Sequence, residues 1–91
     1  MIVTLEEAKL FLRVDGDEED DLITKLLLTS QDLCEGVLRY SLSEFEEVPE
    51  IVRESILYSA ANMYENRDNF NSKEIIETIS RLLFGYRKEE W

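Results

Sequence analysis

The sequence predicts an all-α fold, one small domain of about four helices with short loops covering residues 1–91. Three observations carry this. Apolar residues recur at three- and four-residue spacing in four separate stretches. Helix-start residues stand just ahead of these stretches. No stretch of useful length alternates apolar and polar residues as a half-buried strand would. A domain of this length buries only about 60–65% of its unfolded surface, so the core is small and partners would add to its stability.

Thr4 with Glu7 three residues later is a capping-box pattern, which places a helix start at Leu5. Its stripe is Leu5, Ala8, Phe11 and Leu12, and Gly16 with its acidic neighbours is expected to end it. A helix of about two turns does not persist alone in water, so packing must hold it, with Ile2 and Val14 as flanking contacts. The second stretch has the clearest periodicity: Leu22, Ile23, Leu26, Leu27, Ser30, Leu33, Cys34, Val37 and Leu38. Pro49 suits the first turn of a third helix, where its missing N–H costs nothing. From Ile51 to Asn66 a broad apolar face follows, built on Val52, Ile56, Leu57, Ala60, Ala61, Met63 and Tyr64, with the alanines small enough for close helix approach. Asn66, Asp68, Asn69 and Asn71 mark a polar loop. Ser72 then caps a fourth helix with the stripe Ile75, Ile76, Ile79, Leu82 and Leu83, and Gly85 is its expected stop.

The net charge of −11 is not spread evenly. Asp15, Asp17, Glu18, Glu19, Asp20 and Asp21 crowd one connection, and Glu44, Glu46, Glu47 and Glu50 crowd another. The rest of the chain holds 11 acids against 10 bases. Carboxylates ahead of the second helix interact favourably with the positive end of its dipole, by about 0.3–1 kcal/mol each. Six exceed what capping needs, and their repulsion offsets part of that gain. Near-neutral helical faces with solvated acidic loops suit a protein that packs on other proteins and repels nucleic acid.

Composition argues against several function classes. There is no histidine, the commonest general base and metal ligand near neutral pH. The single cysteine, Cys34, allows no internal disulfide and falls in the apolar stripe of the second helix, where a small buried thiol is the usual occupant. The acidic loop fails the EF-hand spacing. Counted from Asp15, loop positions 6 and 12 hold Asp20 and Leu26; counted from Asp17, they hold Leu22 and Leu28. Glycine and glutamate are required there. No metal or other cofactor is therefore expected. A helix-turn-helix DNA reader needs a cationic face, whereas Arg39, Arg53, Arg67, Lys73, Arg81, Arg87 and Lys88 are scattered among acids. No apolar run reaches the roughly 18 residues that span a bilayer, and neither a leader peptide nor membrane binding is expected.

Two segments suggest contacts. Tyr64 and Arg67 share a helix face, with the phenol expected to pack inward and the guanidinium to bind carbonyls at the helix end. Phe84, Tyr86, Arg87 and Trp91 put aromatic rings and a guanidinium near the chain's end. These are the residue types that dominate interface hot spots.

In order and spacing, Val3-Thr4-Leu5-Glu6-Glu7-Ala8-Lys9, then Leu12-Arg13-Val14-Asp15 with its acidic loop, Pro49, Tyr64-Glu65-Asn66-Arg67 and the closing Tyr86-Arg87 run almost end to end. This series resembles the small head-tail connector proteins of long-tailed bacteriophages and prophages, also called adaptor or DNA-packaging-associated proteins. The stretch Glu35-Gly36-Val37-Leu38-Arg39-Tyr40 departs from that family's usual end to the second helix. The resemblance implies a structural, non-enzymatic protein that forms a homo-oligomeric ring, expected to be dodecameric. The ring would sit under the portal protein, extend the DNA channel and receive the next connector or stopper protein. It also implies assembly in the host cytoplasm and residence in the virion neck. Tyr64, Arg67, Phe84, Tyr86, Arg87 and Trp91 are then the candidate interface residues. Asp15, Asp17, Glu18, Glu19, Asp20 and Asp21 become a loop facing the channel, where like charge would keep DNA from sticking. A small DNA-binding or packaging regulator and a generic helical interaction module are the alternatives.

Overall fold

Capping sets the helix limits in a computed structural model that describes residues 2–69 and 71–87. The first helix, α1, is Leu5–Leu12. The Thr4 hydroxyl accepts the Glu7 backbone N–H at 3.1 Å, and the Glu7 carboxylate accepts the Thr4 N–H at 3.2 Å. Its C-terminal stop comes ahead of Gly16. Arg13 takes a left-handed conformation (φ 62°), and the Val14 N–H reaches back to the Lys9 carbonyl at 2.9 Å. This is a Schellman closure made by an arginine where glycine is favoured.

Helix α2, Asp20–Leu38, is the longest and ends on another left-handed arginine, Arg39 (φ 70°), whose N–H bonds the Glu35 carbonyl at 2.8 Å. The Glu35 carboxylate in turn accepts the Leu42 N–H at 2.7 Å, which fixes the turn into the short 3₁₀ segment Leu42–Glu44. Helix α3, Glu50–Glu65, starts one residue after the expected position, with Pro49 as its N-cap. Helix α4, Ser72–Leu82, is capped by Asn71, whose side chain accepts the Glu74 N–H at 3.2 Å; the expected cap, Ser72, is its first helical residue. An Asn side chain caps as well as Ser does, and Asn71 already has the extended backbone a cap requires. Gly85 does not end α4. The helix closes at Leu83, and Gly85 lies within a 3₁₀ turn, Phe84–Tyr86, with an ordinary negative φ.

The predicted stripes form the core. Val3, Ala8, Ile23, Leu27, Cys34, Leu38, Leu42, Val52, Ile56, Ala60, Ile79 and Leu83 make one buried cluster. Each fully buried Leu, Ile or Val contributes about 1.5–3 kcal/mol of transfer free energy. Helices α2 and α3 form the main pair, with α1 and α4 packed against both. On α3 the buried face includes Ser55 and Ser59, whose hydroxyls donate to the carbonyls of Ile51 and Ser55 at 2.8 and 2.9 Å. The small side chains bring the backbones close without leaving a hydroxyl of either serine unpaired. Arg53 ties the N-terminus down, donating to the Ile2 carbonyl at 2.7 Å and pairing with the Glu7 carboxylate.

The fold is thin, 46 × 30 × 16 Å. A helix with its side chains is about 10–12 Å across, so so flat a body cannot cover every apolar face. Phe11, Ile76 and Leu82, expected in the stripes, are half exposed for this reason, while Ile75, Ile79 and Leu83 carry the α4 contact.

Candidate assembly surface and the acidic loop

The α1–α2 connection is pinned from two sides. Lys9, on α1, reaches Asp20 Oδ1 at 2.7 Å and Asp17 Oδ1 at 3.2 Å. Its ammonium pKa is raised, first by the Asp20 hydrogen bond. At the start of α2, Glu19 takes the Tyr64 hydroxyl on Oε1 and Arg67 Nη1 on Oε2, the latter at 2.5 Å. The Arg67 guanidinium also stacks over the Tyr64 ring, 5.1 Å from its centroid. These bonds hold the Glu19 carboxyl below its ordinary range, the Tyr64 hydroxyl contributing most and Arg67 next, and they push the Tyr64 phenol up. Tyr64 and Arg67 therefore meet an acid of the loop. The expected bond from Arg67 to helix-end carbonyls is replaced because a carboxylate is the stronger, charge-assisted acceptor.

The six acids consequently separate into two groups. Asp17, Glu19 and Asp20 are ion-paired, whereas Asp15, Glu18 and Asp21 are exposed and have no ion-pair partner among the described residues. Among the described residues no three acidic or thiol side chains come together in a way that could hold a metal ion. Cys34 is buried, and its thiol pKa is pushed up to about 12, chiefly by loss of solvation and further by Glu35.

The aromatic tail is partly engaged with its own chain. Tyr40 donates its hydroxyl to the Tyr86 carbonyl at 2.5 Å, and Phe45 stands between the two rings, 5.4 Å from Tyr40 and 6.1 Å from Tyr86. Phe84 instead is 65% exposed, with the Arg87 guanidinium 5.5 Å from its ring centroid. Trp91 lies outside the described residues. Leu10, which the helical periodicity does not mark, is the most exposed large apolar side chain among the described residues, at 82%. The signal was available, since Leu10 and Leu28 both fall outside the helical stripes of α1 and α2.

A family model described as "Phage gp6-like head-tail connector protein" matches residues 2–89. The chain belongs to this family of phage connectors. The match spans all four helices and both acidic segments, so the family's structural role in joining phage head to tail applies to the whole helical body described above. Membership implies phage assembly partners such as the portal and a place in the virion neck. Searches among curated proteins and among solved structures gave no significant match. No helix is long and apolar enough to cross a membrane among the described residues.

Proposed function

We propose that the chain is a connector subunit whose copies close into a ring on the portal, extend the DNA channel and present a surface to the next connector or stopper protein. The family match over residues 2–89 carries the reading. Surface chemistry supports it. Leu10, Phe11 and Phe84 offer scattered apolar anchors on near-neutral helices, and such anchors suit contacts between subunits and with the portal. A head-to-tail ring needs two different faces on each copy, and a thin body with incompletely covered helices supplies them. Subunit number follows the portal, with twelve as the expectation from family resemblance. All 91 residues act as one domain in this scheme, which is made in the host cytoplasm and resides in the virion neck.

In this reading the acidic connection faces the lumen. Asp15, Glu18 and Asp21, without an ion-pair partner among the described residues, would raise a negative potential against passing phosphates. Glu19, Asp20 and Asp17 would hold the loop in place through Lys9, Tyr64 and Arg67. Electron cryomicroscopy of the chain bound to its portal tests both parts: a ring with the 15–21 segment on the channel wall is expected. The same segment on the outer rim would overturn the lumen assignment.

A further inference from the structure

Helices α1 and α4 both pack on α3 and leave between them a groove of about 460 Å³ whose floor is α3 itself. Ile51, Glu54, Tyr58, Ala61 and Glu65 line that floor at alternating intervals of three and four residues. This is the spacing by which one helix presents a seam to another. From Ile51 to Glu65 the seam runs about 21 Å at a rise of about 1.5 Å per residue, enough for a partner helix of about 15 residues. The walls are Phe11 of α1, 49% exposed, and Leu82 of α4, 38% exposed. Both belong to the apolar stripes of their helices and still stand open to solvent on the groove side.

Charge and shape restrict what can lie there. Among the described residues that line the groove, the charged side chains are Glu54 and Glu65, both negative and placed toward opposite ends of the seam. A second copy suits such a groove poorly on two counts. It brings a further net charge of −11. Its described helices also expose large apolar residues only as Leu10 and Phe11 on α1, Leu28 on α2, and Ile76 and Leu82 on α4. None of these recurs at the three- and four-residue spacing by which a groove-binding helix sets its anchors. We propose that the α1–α3–α4 groove seats an amphipathic helix of a different protein, with aliphatic anchors along Ile51, Tyr58 and Ala61 and lysines or arginines against Glu54 and Glu65. The small Ala61 lets the partner backbone approach, and the carboxylates select the sign of its flanks. If the connector reading above holds, that protein is a neighbouring component of the virion neck; the groove assignment itself concerns the isolated subunit and does not depend on ring formation.

The probe is a labelled helical peptide of about 15 residues, leucine at the seam positions and lysine beside them, titrated into the full-length chain and followed by fluorescence anisotropy. One-to-one saturable binding is expected, several-fold tighter than for the same peptide with glutamate in place of lysine. The gap between the two should narrow as salt is raised. Ala61→Arg puts bulk and positive charge on the floor, and it should keep the wild-type helical circular dichroism while abolishing the binding. Glu54→Lys combined with Glu65→Lys, at exposed positions, should reverse the preference between the two peptides, and it decides the matter if Ala61→Arg fails to fold. No binding of either peptide, equal binding of both, or a lysine preference that survives the double substitution would overturn the proposal. So would self-association of the chain that Ala61→Arg abolishes, which would give the groove to a second copy. Ring closure is read separately, by the mass of the assembly, so a failure here leaves the connector reading standing.

Discussion

Arg67 Nη1 lies 2.5 Å from Glu19 Oε2 and joins the end of α3 to the start of α2 across 48 residues of sequence. The same carboxylate takes the Tyr64 hydroxyl, so one acid of the loop organises both the last turn of the neighbouring helix and the turn just past its end. Because Glu19 titrates below its ordinary value in the folded chain, its stabilising effect is present above about the ordinary 4.5 and is lost as pH falls through the lowered folded value. Tyr64, raised above its ordinary 10.0, adds stability that is present below that pH and is lost as pH rises through the folded value. Glu19→Gln should therefore lower the thermal midpoint modestly at neutral pH. The difference from wild type should shrink toward both acid and strongly alkaline pH. A pH-independent difference would contradict the bond.

The left-handed Arg13 invites the opposite change. A non-glycine residue there costs about 1–2 kcal/mol, and glycine's extra unfolded-state freedom returns about 0.4–1. Arg13→Gly should thus stabilise the chain by about 0.5–1 kcal/mol in urea titration, since Arg13 has no ion-pair partner among the described residues.

Cys34 should be inert while the chain is folded. With its pKa pushed up to about 12 by burial, the thiolate is scarce at neutral pH, and the thiol is enclosed by the core. A disulfide reagent should react only at the rate of unfolding and rapidly in urea. The raised pKa also means stability present below the ordinary 9.0 and lost progressively as pH climbs toward 12. Rapid labelling of the native chain would contradict the packing.

Much of this was legible in the sequence for plain reasons. The α2 stripe ending in Cys34 and Leu38 is buried as its period requires, and the Thr4–Glu7 box starts α1 where the spacing puts it. The stops were less legible. Gly16 and Gly85 look like terminators, yet the chain turns at Arg13 and Leu83, because tertiary packing can hold a non-glycine residue in a left-handed or open cap. The pairing of Glu19 with Tyr64 and Arg67 could not be read from residues 45 and 48 positions apart, since local pattern carries no information about which helix ends meet. The exposure of Phe11, Ile76 and Leu82 follows from the thinness of the assembled body, which no single helix reveals.

The exposed anchors should matter to assembly and little to folding. Leu10 is 82% and Phe84 65% exposed, so Leu10→Glu and Phe84→Ser should change stability by about 1 kcal/mol or less. Each should weaken binding to the portal measured by sedimentation. Variants that fold and bind as wild type would remove these residues from the proposed interface.

Closure of this connector into a ring on its portal is the proposal on which its function rests. Native mass spectra of the chain, alone and mixed with portal, recorded across concentration and ionic strength, test it most directly. One discrete high-order mass, free or portal-bound, is expected, without a ladder of intermediates. A chain that stays monomeric at every concentration and adds no mass to the portal would contradict it.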